Sequence, residues 1–177
     1  LLVAGQQAVD LAGVCGVDTD ESLLTDETRR RWTDADPPGP LDEAHLQWVR
    51  DRFGGHDTVG AVATDGDRIA AGTSTGGRWF ALAGRVGDVP QVGSGFYAGE
   101  RAAASATGAG EAIARAGLSR KAVQRVESGA DPATAAAEAL AEFESLTGST
   151  AGVIVLDRAG TQGTAFNSAA MQTAGTD

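Results

Sequence analysis

The chain has 177 residues, 42% of them hydrophobic and 21% charged, which fits one globular domain able to bury a substantial core. Its 24 acids against 14 bases give a formal net charge of −10, which excludes a general nucleic-acid or anionic-membrane binder, since both need a basic surface. No apolar run reaches the roughly 20 residues of a membrane span, no signal peptide is visible, and one cysteine excludes an internal disulfide, so a cytoplasmic protein is the default expectation.

The positive charge is nearly all arginine, because Lys121 is the only lysine. Such a surface stays hydrated in high salt, where screening removes its self-repulsion, and a GC-rich coding bias toward Arg and Ala accounts for it equally well. Cys15, with no CxxC or Cys/His cluster near it, reads as a buried small hydrophobe rather than a metal ligand.

In chain order, Ala8, Leu11, Ala12 and Cys15 recur at helical spacing after a Gly5 turn and predict a short amphipathic helix. The stretch 17–40 is acidic and ends in Asp36-Pro37-Pro38-Gly39-Pro40, which stops any helix and favours an extended segment, with a short surface helix over 26–32. Leu41 to Phe53 predicts a helix with Leu41, Ala44, His45, Trp48, Val49 and Phe53 on one side. Residues 1–57 carry 12 acids and 5 bases, net −7, while residues 58–177 carry 12 acids and 9 bases, net −3. The excess acid therefore sits before Thr58, as in a solvated linker.

Thr58 to Thr64 and Arg68 to Ser74 read as strands joined by a two-residue turn at Asp65-Gly66, with Gly60 and Gly72 marking close approach of another backbone layer. Residues 75–100 are loop-like and glycine-rich, and a loop of that length in a compact domain usually has a function. A strand over Ala102 to Thr107, helices from Glu111 and over Leu118 to Ser128, and a helix capped by Asp131-Pro132 with Ala135, Ala139, Leu140 and Phe143 inward come next. Strands over Ala151 to Leu156 and Thr161 to Asn167 close the chain. Strands, then helices, then strands predict helices packed on an antiparallel sheet.

For chemistry, the residues offer threonines but no evident base. His45 is on a helix and His56 points away from Thr58 in an extended segment, so a Ser/His/Asp triad is poorly supported. A threonine can instead use its own α-amine, freed by cleavage before it. Thr58 is open to that reading and to the plainer one of an ordinary β-branched strand residue.

The segments HDTVGAVA, GTSTGG, GRVGD, GSGFYA and SATGAGE, in that order and near-spacing, resemble the plant-type asparaginase family of N-terminal nucleophile hydrolases. That family includes isoaspartyl peptidases and glycosylasparaginases. The resemblance covers nearly all of 58–167, and LLVAGQQAVDLA is a weaker match before the linker. It implies an α+β fold, the four-layer αββα sandwich, incomplete on its N-terminal side. It also implies an α-subunit tail over 1–57 and a β subunit over 58–177, formed by autocleavage at Asp57-Thr58 and assembled as an (αβ)2 dimer. By the same resemblance Thr58 is the nucleophile, Thr75 bonds its hydroxyl, and Thr107 with the Gly108 amide forms the oxyanion hole. Arg85 holds the substrate α-carboxylate, Asp88 the α-ammonium, and the Gly110 carbonyl completes that site.

The implied substrate is a small molecule, asparagine or a β-aspartyl peptide, with no organic cofactor and no metal among these residues. A structural sodium, where the family has one, would lie upstream of Leu1. Asp57 with His56 looks like the glycosylasparaginase branch, whereas Gly76-Gly77 looks like the isoaspartyl branch, and Val89 replaces a serine usual after GRVGD. The family's first strands also lie upstream of Leu1, which leaves an inactive fragment as a rival reading. A taspase-like endopeptidase ranks lower, because the Arg85/Asp88 pair suits a free amino-acid end.

Overall fold

The computed structural model describes residues 3–19, 22, 24–55 and 58–176; Asp57, invoked for autocleavage, and His56, which with Asp57 carries the glycosylasparaginase likeness, lie outside them. The chain divides into two compact units, Leu1–Arg50 and Asp51–Asp177. In the first, α1 (Gln6–Val14) starts after Gly5 and α2 (Asp26–Asp34) is capped by the Thr25 hydroxyl, which accepts from Thr28 N at 3.1 Å. Helix α3 (Glu43–Arg52) starts with the Asp42 carboxylate accepting from His45 N, and Trp48 Nε1 donates to Ala35 O at 3.2 Å. Val49 is buried, but Leu41 and Ala44 are exposed, because Leu41 precedes the helix and the one-sided stripe narrows to its C-terminal half. Cys15 is exposed rather than buried, since it follows α1 as its cap and no residue of that helix is buried.

The second unit holds two antiparallel sheets, as the order of elements predicts. Strands β1 (Thr58–Thr64) and β2 (Ile69–Thr75) form a hairpin, and β3 (Phe96–Ala98), β4 (Ala102–Gly108), β5 (Ala151–Asp157) and β6 (Gln162–Phe166) a four-stranded sheet in that order. The hairpin turn falls one residue later than expected, on Gly66-Asp67. Gly66 takes φ 91° and Asp65 Oδ1 accepts from Asp67 N and Arg68 N, which closes the turn around the glycine. Strand β3 lies where the sequence predicts loop; three residues among glycines carry no alternation, and only pairing with β4 makes them a strand.

Along β4, Ala102, Ala104 and Ala106 join the core with helices α5 (Leu118–Glu127) and α6 (Pro132–Thr147), while Ser105 faces the hairpin. Alternation thus buries both faces of this strand. The alanines let α5 and α6 approach, and Ile113 of α4 (Gly110–Ala116), Leu118, Val123, Phe143, Val153 and Val155 fill the space between. Asp131 caps α6 by accepting from Ala133 N and Thr134 N, as the Asp-Pro pair predicts. On the other face the hairpin packs so closely that a Cβ on Gly60 would overlap Ser105 Oγ, whereas Gly72 has open space and needs no glycine on that ground. Hairpin, four-stranded sheet and helices are therefore successive layers of a mixed α+β unit.

Candidate active site

Thr58 and Thr75 are opposite partners at the open end of the hairpin, which puts both side chains on one face. Thr58 Oγ1 donates to Thr75 Oγ1 at 3.3 Å, and Thr75 Oγ1 also accepts from Gly77 N at 3.0 Å. Two residues further in, Thr73 Oγ1 and Ser105 Oγ lie 2.7 Å apart and Thr73 Oγ1 donates to Gly95 O, which ties β2 to the sheet beneath. The position of the threonine pair is thus set by β-sheet register.

After Thr75 the chain loops through Gly87 and Asp88 to β3. The Asp88 carbonyl accepts from Gln91 N at 2.9 Å and from Gly95 N at 3.2 Å, and Gln91 Nε2 donates to Gly87 O, so the loop is held by its own backbone. Asp88 is 6% exposed and its Oδ2 is buried without a hydrogen-bond partner among the described residues. Burial pushes its carboxyl above the usual aspartate range, partly offset by backbone N–H groups and by Arg85. A carboxylate left half-satisfied in this way costs stability unless a donor arrives.

Arg85 lies beside it. Its Nε donates to Glu111 Oε1 at 2.8 Å, its Nη1 and Nη2 donate no hydrogen bond among the described residues, and its Cζ is 5.6 Å from the Phe53 ring centroid. Gly110, the first residue of α4, leaves the room these groups need: a Cβ there would come within 2.7 Å of Asp88 Oδ1 and 2.8 Å of Arg85 Nη2. Arg78 stacks on Phe53 at 4.0 Å and reaches Glu111 Oε2 at 3.5 Å. The Arg85 hydrogen bond, with both arginine charges behind it, holds the Glu111 carboxyl below the usual glutamate range.

Thr58, Thr75, Arg85, Asp88, Gly108 and Gly110 all line one cavity of about 410 Å3, together with Arg78 and Gly76-Gly77. Thr107 lines the adjoining cavity of about 710 Å3, which it shares with Thr58 and Gly108. Gly108 borders both, at the end of β4 where Ala109 N donates to Thr150 O. The site residues expected from sequence, Asp57 apart, are therefore brought together across 53 residues of chain. Arg78, Glu111 and Phe53 carry no expectation of a place in the site from the sequence. Arg78 follows the GTSTGG segment and Glu111 ends SATGAGE, but their meeting over the Phe53 ring has no sequence signal.

Chemically, the cavity offers paired hydroxyls, one guanidinium with two donor nitrogens free among the described residues and one buried carboxylate, a set matched to a zwitterionic α-amino acid. Among the described residues no group of three or more His, Cys, Asp or Glu could hold a metal ion, and no helix is long and apolar enough to cross a membrane.

A family model described as asparaginase matches residues 1–177. A protein of Pyrococcus abyssi named plant-type L-asparaginase is 36% identical over 181 residues, covering 94% of this chain and 57% of that protein. A Danio rerio protein named isoaspartyl peptidase/L-asparaginase is 41% identical over 159 residues, covering 86% of this chain and 48% of its own length. One from Pyrobaculum calidifontis, also named plant-type L-asparaginase, is 37% identical over 175 residues, 97% of this chain and 58% of that protein. The chain spans about half the length of these curated relatives. With a match that runs from residue 1 to residue 177, the chain belongs to the asparaginase family.

Proposed function

We propose that this chain carries the nucleophile and amino-acid clamp of a self-processing threonine amidohydrolase that hydrolyses the side-chain amide of L-asparagine or of β-aspartyl dipeptides. The observation that carries the reading is the single cavity that Thr58, Thr75, Arg85, Asp88, Gly108 and Gly110 share. The names of the relatives point to the same two substrates.

In this reading Thr58 Oγ first attacks the Asp57 carbonyl. The peptide C–N bond breaks in favour of an ester, and water hydrolyses the ester to leave a free Thr58 α-amine and an Asp57 carboxylate. The amine then takes the Oγ proton as Oγ attacks the substrate side-chain carbonyl. Thr75, at 3.3 Å, orients that hydroxyl. The oxygen that gains charge is held by Thr107 and the Gly108 N–H. The proton passes to the departing ammonia or amine, and a second water releases aspartate from the acyl-threonine. Arg85 takes the α-carboxylate with Nη1 and Nη2, and the unpartnered Asp88 Oδ2 takes the α-ammonium, with the Gly110 carbonyl beside it. The order of hairpin, four-stranded sheet and α5–α6 layer is the order that three layers of an αββα sandwich would take, which supports that reading of the whole fold.

The test is expression of the full-length protein, a denaturing gel and N-terminal sequencing of the smaller band. A band beginning at Thr58, and loss of both processing and turnover by at least about a thousandfold in Thr58→Ala, are expected. An uncleaved protein, or a Thr58→Ala variant that still hydrolyses asparagine, sinks the reading.

A further inference from the structure

Glu111 is half-exposed at the first turn of α4, yet each of its carboxylate oxygens is taken: Oε1 by Arg85 Nε at 2.8 Å and Oε2 by Arg78 Nη1 at 3.5 Å. Both guanidinium groups lie over the ring of Phe53, and the arginine side chains are only 16% and 18% exposed for Arg85 and Arg78. An ordinary surface ion pair holds two flexible, solvated chains and is worth little. Here one carboxylate, fixed to a helix, holds two arginines that are packed against an aromatic face, and Arg85 lies against the Gly87 and Gly110 backbone as well.

We propose that Glu111 is the positioning residue of the clamp: it grips Arg85 by the Nε edge and thereby presents Nη1 and Nη2 to the substrate α-carboxylate in one orientation. The inference rests on the reading of Arg85 as the carboxylate-binding residue. Three features of the site make it specific. Arginine meets a carboxylate two-pronged only when its plane is set, and four rotatable side-chain bonds leave that plane free unless the Nε side is anchored. Glu111 anchors that side and leaves the other pair of nitrogens open. Arg78 on the second oxygen keeps the Glu111 carboxylate from swinging away. Arg78 and Glu111 also cancel in charge, so Arg85 and Asp88 are left as one cation and one anion, the complement of a zwitterion. Without Glu111 the wall would carry two cations against one anion, and Arg85 would be free to turn toward Asp88.

The experiment compares wild-type full-length protein with Glu111→Ala and the isosteric Glu111→Gln, on L-asparagine and on 3-aminopropanamide, which is asparagine without its α-carboxylate. Glu111→Ala should raise KM for L-asparagine by about tenfold with kcat within about threefold, and Glu111→Gln, which keeps one acceptor oxygen, should raise it less. For 3-aminopropanamide, which has no carboxylate for Arg85 to read, kcat/KM should fall by at most about threefold in both variants, the part owed to the lost negative charge and to Arg85 turning toward Asp88, and so clearly less than for L-asparagine. A merely structural role would lower both substrates alike. An unchanged KM for asparagine, or an equal loss on the two substrates in the Glu111→Gln protein, overturns the role of Glu111 while leaving the amidohydrolase reading intact. A wild-type protein that hydrolyses no asparagine overturns that reading, and this inference with it.

Discussion

Alanine at Gly60 probes the packing on which the threonine pair depends. Gly60 follows Thr58 by two residues on the same face of β1, in extended backbone that any residue adopts, so the substitution adds a methyl and no backbone strain. That methyl would overlap Ser105 Oγ and lie 2.8 Å from Ser105 Cβ. Ser105 has nowhere to go: it is buried, and its hydroxyl is engaged with Thr73 at 2.7 Å. Overpacking of this kind costs about 1–3 kcal/mol, and a broken buried hydroxyl hydrogen bond adds about 1 kcal/mol. Removing a strand glycine offsets about 0.5–1 kcal/mol through the unfolded chain. The net is about 1–3.5 kcal/mol, a fall in Tm of about 2–14 °C for a protein of this size. Thermal unfolding of the full-length Gly60→Ala, Ser105→Gly and double variants measures it. The double variant should lose less than the sum of the singles, by at least about 1 kcal/mol, because Ser105→Gly vacates the contested space. A Gly60→Ala protein with wild-type Tm, or single effects that simply add, refutes the close approach of the two sheets.

Asp88→Asn separates stability from function. Because burial raises the Asp88 carboxyl above its ordinary 3.8, the folded protein keeps that proton longer than the unfolded chain does, and stability falls as pH rises from about 3.8 through the folded value. Asparagine, which never charges, should therefore raise the Tm of the substrate-free protein at pH 7 and leave it nearly unchanged near pH 3. If Asp88 holds the α-ammonium as proposed, the same variant should raise KM for asparagine by at least about tenfold in steady-state assays, through loss of that counter-charge. Phe143→Ala should lower stability by about 3–5 kcal/mol in chemical denaturation, because Phe143 is the largest fully buried side chain among the described residues and lies between α6 and the alanine-lined sheet. A loss below about 1 kcal/mol there would mean that the helix layer is not the core.

The legible parts of the fold are those whose signals are local. The inward set Ala135, Ala139, Leu140 and Phe143, the Asp131 cap and the apolar run of β5 each carry their structure within a few residues. Strand β3 does not, because Phe96–Ala98 becomes a strand only by pairing with β4. The turn moved by one residue because Gly66 alone takes φ 91°, and a glycine suits the first central position as well as the second. Cys15 looked buried because its spacing continues a helical stripe, but a stripe states only which side is apolar, not that anything covers it. In the site, threonines and glycines have no periodicity that marks them; the order of five short segments made them visible. The support of Arg85 has no local signal, since Phe53, Arg78 and Glu111 are far apart in sequence and meet only where α4 lies over the loop that carries Asp88.

The hairpin has a consequence for how distant changes reach the chemistry. Seven consecutive residue pairs run from Thr64 opposite Ile69 at the turn to Thr58 opposite Thr75 at the cavity, a span of about 20 Å. No covalent link fixes the far end; the count of residues from the turn does. A slip of one residue at Gly66-Asp67 would carry Thr58 away from Thr75 and turn the opposing side chains to the other face. The turn, the most exposed and least chemical part of the hairpin, thus acts as the zero mark of a ruler whose last graduation is Thr58. Lengthening or relaxing it changes where the hydroxyl sits without touching any residue of the cavity.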